Sequence, residues 1–257
     1  MQRETEPNGQ ERLCVIVPTY NNERTLADVL RRIMRITTDI IVVNDGSTQA
    51  TADVLAADEF KRLTVVDYGR NRGKGYALRR GMERATAEGY THAVTIDSDG
   101  QHFPEDIPLL MEAHREYPEA LIVGARNLNE DNMPRGNTFA NKFSNFWVRL
   151  QTGRRIDDTQ SGLRLYPLRR VKPSWAVTPR YEAELELLVF SAWANIPIHE
   201  VPVHVYYPPK DERVSHFRPF ADFLRISILN TVLCFLAVVY GWPRRIIHQL
   251  VHHGKTL

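Results

Sequence analysis

The chain has 257 residues, 43% hydrophobic and 25% charged, which excludes a disordered or fibrous protein and supplies apolar mass for one large core or two smaller ones. Its 33 Lys and Arg against 31 Asp and Glu come mostly as scattered pairs such as Arg31-Arg32, Arg79-Arg80 and Arg169-Arg170 with acids nearby, a pattern that argues against a nucleic-acid-binding stripe. Cys14 and Cys234 both sit in apolar runs and Met1 to Arg12 has no signal-type apolar core, so a reducing, cytoplasmic setting without a disulfide framework is expected.

From Leu13 onward, short apolar runs alternate with helix-length segments, which predicts an α/β fold with a mostly parallel sheet covered by helices. Strands are expected at Cys14 to Val17, Ile40 to Val43, Leu63 to Val66, Ala93 to Ile96 and Leu121 to Val123. Between them, Thr25 to Met34, Thr48 to Ala57, Tyr76 to Glu88 and Pro104 to Tyr117 carry apolar residues near the helical period. Polar groups collect where the first, second and fourth strands end, and in open α/β sheets that edge binds ligands. Beyond Gly124 the alternation breaks: helices are expected at Asn137 to Thr152 and Tyr181 to Ala194, and strands at Leu163 to Tyr166 and Val201 to Tyr207. This half is read as the part that receives a second substrate. The stripe Phe139, Phe143, Phe146, Trp147 and Leu150 reads most simply as burial against the sheet or neighbouring helices, with a lipid groove as the alternative.

The uncharged run from Ile226 to Pro243 lies at the lower limit for crossing a bilayer, where roughly 18 to 20 apolar residues are needed. It is expected to span the membrane or lie along it, with a buried core helix as the bland reading. Trp242, Arg244 and Arg245 mark an interface-like end. Basic residues flank both ends, so charge bias does not set an orientation.

The sharpest chemical signal is Asp97-Ser98-Asp99-Gly100-Gln101, two carboxylates leaving a strand with one residue between them. Such a pair, with a neutral oxygen from Gln101, suits Mg²⁺ or Mn²⁺ shared with substrate phosphates. Alone it reads more readily as two solvated turn acids; its company raises it. Pro18-Thr19-Tyr20-Asn21-Asn22-Glu23 and Asn44-Asp45-Gly46-Ser47 follow the first two strands, offering a ring that can stack on a base and acids that can accept from base or ribose. Asn71-Arg72-Gly73-Lys74-Gly75 follows the third and combines close backbone approach with a cation beside a helix start, which suits a diphosphate. His102 is read as an exposed residue or one that supports the acids from behind.

Together with Asp158-Thr159-Gln160-Ser161-Gly162-Leu163-Arg164, this ordered set resembles family 2 inverting glycosyltransferases of the GT-A fold, and within them the dolichol-phosphate mannosyltransferase and polyprenyl-phosphate glycosyltransferase branch. The resemblance covers about Leu13 to Arg218 and implies a polar tail (1–12), a GT-A glycosyltransferase domain (13–217) and a membrane-associated helical segment (218–257). It implies that Pro18, Tyr20, Glu23 and Asp45 hold the nucleotide, that Lys74 lies near the donor, and that Asp97, Asp99 and Gln101 serve the metal. It further implies that Arg126 and Arg135 meet a lipid phosphate, with Arg164, Arg213 and Ser215 on the acceptor side. The chain departs from the family at Asn44, where an acid is usual, at Gly136-Asn137-Thr138, where a serine is often found, and at His216, where a lysine is expected.

The implied reaction moves a sugar from a nucleotide-sugar donor to a polyprenyl (dolichyl or undecaprenyl) phosphate at the cytoplasmic face of a membrane. A divalent cation would stabilise the departing nucleoside diphosphate. A lipid phosphate is already an anion, so Arg126, Arg135 and Arg213 need only position it. A hydroxyl acceptor on a glycan or lipid-linked saccharide would need a base, for which Asp158 is the candidate; the alternative is that Asp158 fixes its loop or pairs with Arg164. A sugar nucleotidyltransferase and a non-catalytic membrane adaptor are the competing classes.

Overall fold

The computed structural model describes residues 11–126, 135–207 and 219–253. The first strand, β1 (Leu13–Thr19), is apolar along its length because both faces are covered: Cys14 and Ile16 enter one apolar cluster, Val15 and Val17 the other. β2 (Ile40–Asn44), β3 (Thr64–Asp67) and β4 (His92–Thr95) join it in parallel register. With β5 (Leu121–Arg126), β6 (Arg164–Pro167) and β7 (Ile198–Val203) they form a seven-stranded sheet in the order β3-β2-β1-β4-β6-β5-β7. Only β6 runs against its neighbours, antiparallel to both β4 and β5.

Helices α1 (Glu23–Met34), α2 (Gln49–Leu55) and α4 (Ile107–Glu116) cover one face through Leu26, Val29, Leu30, Ile33, Leu55, Ile107 and Leu110. On the other face lie α3 (Lys74–Ala87), α5 (Arg135–Thr152) and α6 (Glu182–Trp193), whose Leu78, Met82, Val148, Leu187 and Leu188 are buried. Burial of two such layers, at about 25 cal/mol per Å² of apolar surface, is the main stabilising term. Cys14 is free and buried, and burial pushes its thiol up to about 12.

The expected elements fall where the apolar periods place them, with one displaced strand. Val201 to Tyr207 was the expectation; the strand is Ile198–Val203, because the Asp106 carboxylate accepts the His204 backbone N–H (2.6 Å) and draws the chain off the sheet. Val205 and Tyr206 then pair with the acid-motif segment, through a bridge to His102 and a Tyr206 N–H to Gln101 carbonyl bond of 2.8 Å.

The C-terminal run forms α7 (Pro219–Leu236), a single π-helical stretch at Ala237–Gly241, and α8 (Trp242–His253). Asp222, Asn230, Leu233, Ala237 and Gly241 make one buried stripe along it. Asn230, a polar interruption in the apolar run, accepts from Gln151 Nε2 on α5 (2.9 Å), and the Gln151 carbonyl accepts from Trp193 Nε1 on α6 (2.9 Å). The opposite face is apolar and exposed at Phe223, Ile228, Val232, Phe235, Val238 and Val239, so the core-helix reading fails for this segment. The burial reading of the α5 stripe is corrected in part: Phe143 and Trp147 are half-buried, Phe143 against Phe223 of α7, but Phe146 is 59% and Leu150 44% exposed, and Phe139 lies outside the residues whose side chains are described.

At the far end of β4, His92 is buried beneath His114, ring centroids 4.1 Å apart. Burial, then the neighbouring His114, holds His92 below its ordinary value of 6.5. Below that pH the unfolded chain binds a proton that the fold refuses, so His92 subtracts stability as the medium is acidified. His92→Gln is expected to lose less melting temperature than the native protein between about pH 7 and about pH 5, as followed by circular dichroism; an identical decline would remove His92 as the source.

Candidate active site

Because β2 and β3 lie on one side of β1 and β4 on the other, the order of the strands reverses between the parallel neighbours β1 and β4. Strand-end loops diverge at such a point and leave a crevice. The acid motif leaves β4 there. Its middle residue, Ser98, is buried: its Oγ donates to the Pro18 carbonyl (3.0 Å) and accepts from Asn22 Nδ2 (2.7 Å), while its carbonyl accepts from Thr25 Oγ1 (2.6 Å). With Ser98 pinned inward against the exit of β1, Asp97 and Asp99 stay partly exposed and near enough for each charge to act on the other.

Asp97 is paired with Lys74, the first residue of α3, whose Nζ lies 2.7 Å from Oδ1 and 2.9 Å from Oδ2. The same Nζ is 3.1 Å from Glu184 Oε2 on α6. Burial raises the Asp97 carboxyl, but the Lys74 charge outweighs it and the group is held below the usual carboxylate range. Asp99 has no such relief. Burial and the Asp97 charge push it up to about 6, against the backbone N–H of Gln101 that it accepts at 3.0 Å. Gln101 thus serves Asp99 through its main chain. His102, expected to be exposed or supporting, is buried and kept down to about 4 by desolvation; its Nδ1 has no hydrogen-bond partner.

The antiparallel run of β6 brings the Asp158–Gly162 segment beside the same acids, and the Gly162 carbonyl accepts from Thr95 Oγ1 at 3.0 Å. A Cβ at Gly162 would overlap Oδ2 of Asp97, so only glycine lets this loop lie against the Asp97–Lys74 pair.

On the other side of the crevice, Tyr20 is partly exposed and Glu23 exposed, its Oε2 accepting from Thr51 Oγ1 at 3.4 Å. Asp45 is buried and occupied: it accepts from Tyr68 Oη (2.7 Å), Asn71 Nδ2 (3.0 Å) and the backbone N–H groups of Arg72 and Gly73 (both 2.7 Å). Its first effect is therefore to shape the loop that presents Lys74. Gly46 permits this approach; at φ +66° it is in the left-handed region, and a Cβ there would overlap the backbone of Arg70 and Asn71. Asn44, the family departure, donates to Asp67 Oδ2 at 2.6 Å, so the acid usual at that place is answered by one on the next strand.

Asp158 is fully buried. It accepts from the Arg126 backbone N–H (3.1 Å), Nε (2.6 Å) and Nη2 (2.9 Å), from Asn141 Nδ2 (2.9 Å) and from the Gln160 backbone N–H (3.1 Å). Burial raises its carboxyl, but the hydrogen bonds and charge of Arg126 outweigh that and hold it low. The pairing considered with Arg164 is not formed. Arg164 is completely buried and gives Nε, Nη1 and Nη2 to the carbonyls of Ser161, Glu184 and Thr159, so it braces the loop against α6. Arg135 opens α5 with its side chain outside those described, and Arg213 and Ser215 lie outside the described residues.

Sequence reasoning missed Glu184. Its signal was available: Glu182, Glu184 and Glu186 alternate in an otherwise apolar helix, and buried acids require partners. Glu186 satisfies its own by accepting from the Val177 and Thr178 N–H groups, both at 2.8 Å.

The donor set fits a divalent cation. Two carboxylates, one of them left protonatable by the charge of the other, gain from a positive ion between them. Among the described residues no cluster of three or more His, Cys, Asp or Glu is arranged to hold a metal by itself, so a cation here would need oxygens from another source such as substrate phosphates.

The reversed strand order, the acids at the switch point and the cationic loop at residues 71–75 together put charged and polar groups on the ligand-binding edge of an α/β sheet. The same fold is found in glucosyl-3-phosphoglycerate synthase from Mycobacterium tuberculosis, solved with Mn²⁺, UDP-glucose and phosphoglyceric acid; it is 20% identical, matches with a TM-score of 0.63 and covers 89% of this chain and 80% of that one. The sequence model of Glycosyl transferase family 2 matches residues 14–166. The chain therefore belongs to glycosyl transferase family 2, in the GT-A fold, and is an enzyme of that family. It is 29% identical over 215 residues to the UDP-N-acetylglucosamine–dolichyl-phosphate N-acetylglucosaminyltransferase of Methanococcus voltae, covering 76% of this chain and 86% of the relative. It is also 28% identical over 203 residues to the undecaprenyl-phosphate mannosyltransferase of Micrococcus luteus, covering 75% and 82%.

Proposed function

We propose that this protein transfers a sugar, with inversion, from a nucleotide-sugar donor to a polyprenyl phosphate in a metal-dependent reaction on a membrane surface. The observation that carries the acceptor half is the state of Asp158. A hydroxyl acceptor needs a base that can take its proton, and the carboxylate nominated for that task is buried, held low and committed to Arg126, Asn141 and Gln160. A phosphate acceptor needs no base. Arg126, oriented by Asp158, is then the group that positions it, with Arg135 and Arg213 as further cations. The polyprenyl-phosphate and dolichyl-phosphate relatives support the same reading.

On the donor side, Tyr20 and Glu23 with Pro18 border the base and ribose, Asp45 holds the loop from Asn71 to Gly73 in shape, and Lys74 meets the diphosphate. Asp97 and Asp99 would hold Mg²⁺ or Mn²⁺, which when bound neutralises charge on the departing diphosphate. Gly162 keeps the loop close enough to limit water at that pair.

The apolar stretch Asp222–Ile247 is long enough to cross a bilayer. We infer that it lies in the membrane plane. Its buried stripe from Asp222 to Gly241 stays seated on the body over about 30 Å of helix, while the opposite face and the flank of α5 present Phe146, Leu150, Phe223, Phe235 and Val239 outward. Arg149, Arg225 and Arg244, exposed on the same helices, suit anionic headgroups.

A panel of labelled nucleotide sugars with undecaprenyl and dolichyl phosphate in anionic vesicles tests the proposal, reading released nucleotide and the mass added to the lipid. The expected product is one sugar on the lipid phosphate, formed faster on vesicles than in detergent. Transfer to a saccharide hydroxyl with the lipid phosphate untouched would refute the acceptor assignment.

A further inference from the structure

One cation already sits where a metal would act. Lys74 Nζ touches both oxygens of Asp97, at 2.7 and 2.9 Å, and a third carboxylate oxygen, Oε2 of Glu184, at 3.1 Å. The three side chains are mostly buried, with 19%, 23% and 10% of their surfaces exposed, so their charges are weakly screened. A divalent ion on Asp97 and an ammonium on the same oxygens repel one another and compete for the same lone pairs. Gly162 closes the remaining side of the pair. Glu184, carried by α6 and thus independent of the strand end that carries Asp97, offers the ammonium a second partner at no distance.

We propose that Lys74 is a resident counterion which a divalent cation must displace from Asp97, and that Glu184 is the positioning residue that retains the displaced ammonium beside the diphosphate. This rests on the metal-assisted reading above and adds an order of events to it. The cation alone binds weakly because it must break the Lys74–Asp97 pair. A donor diphosphate, which gives the ammonium an anionic partner of its own, removes that cost, so donor and cation bind cooperatively. Asp97, mostly buried, is meanwhile never left without a positive partner.

The test is Mn²⁺ binding to the full chain without nucleotide, followed by electron paramagnetic resonance of the free ion, in the native protein, Lys74→Met, Glu184→Gln and the double variant. Lys74→Met is expected to bind Mn²⁺ about tenfold more tightly than the native protein, although it loses transfer activity. Glu184→Gln is expected to weaken Mn²⁺ binding by a similar factor in the native background and to have almost no effect in the Lys74→Met background. Unchanged Mn²⁺ affinity in Lys74→Met overturns the proposal. So does an equal Glu184→Gln effect in both backgrounds, which would make Glu184 a general source of negative potential. Should Lys74→Met fail to fold, the ¹⁵N resonance of the Lys74 ammonium in the native protein replaces it: it is expected to move on adding Mg²⁺ without donor, and a fixed resonance overturns the displacement. Absence of Mn²⁺ binding in the native protein both with and without UDP or GDP would instead remove the metal-assisted reading itself.

Discussion

Asp99→Asn is expected to abolish sugar transfer, by about 10³-fold or more in kcat, while raising the melting temperature of the cation-free protein above pH 6. The two effects have one cause. Asp99 is desolvated beside the Asp97 charge and is pushed up to about 6, so its ionised form is disfavoured in the fold relative to the unfolded chain. Between an ordinary carboxylate value near 4 and about 6, the native protein binds the proton more tightly and is stabilised by it; as pH rises through 6 that contribution is lost. An amide at this position never pays the ionisation penalty, but it cannot hold a divalent ion. The same proton competes with the metal. The apparent Mn²⁺ affinity of the native protein is expected to fall by about tenfold for each pH unit below 6 and to level off above it, a profile that calorimetric titration measures directly. A flat affinity across that range would show that Asp99 does not contribute a charged oxygen to the ion.

Asp158→Ala is expected to destabilise the protein by about 3–5 kcal/mol, because it strands the Arg126 guanidinium and three further donors in a buried setting. Denaturant unfolding of the purified variant reads this as a lower midpoint with an unchanged slope. Arg126→Met combined with Asp158→Leu is expected to recover the part of that loss due to the stranded guanidinium, since replacing both partners of a buried pair is often neutral, while Asn141 Nδ2 and the Gln160 N–H stay without their acceptor. Recovery of fold without recovery of transfer assigns the pair a part in the reaction beyond stability. Asp158→Asn, which preserves shape, is expected to raise the KM for polyprenyl phosphate more than it lowers kcat; a proton-accepting Asp158 would give the opposite split, with the loss in kcat.

The positions of the strands and helices were legible because a strand covered on both faces reads as a short unbroken apolar run, whereas a helix covered on one face repeats its apolar residues near 3.6. Asp97 and Asp99 could be singled out for the same local reason: the chain leaves an apolar run at Ile96 and meets two acids around a small residue. The final strand was misplaced because its end is set by a distant side chain, Asp106, taking the His204 N–H, a preference that no local pattern encodes. The α5 stripe was read as core for a related reason. Helical spacing shows that Phe143, Phe146 and Leu150 share a side, yet whether that side meets the sheet or the outside depends on where α7 docks.

Sequence alone thus determined the mostly parallel architecture, through apolar runs a few residues long, and the family, through short motifs whose order along the chain is itself the signal. Only the tertiary structure decided which charges answer one another. Lys74 meets Asp97 and Glu184 across gaps of 23 and 110 positions, and Asp158 meets Arg126 across 32, because loops from separate strands converge at the sheet edge. Ionic partnership is governed by distance through space and by burial, and neither can be computed from order along the chain.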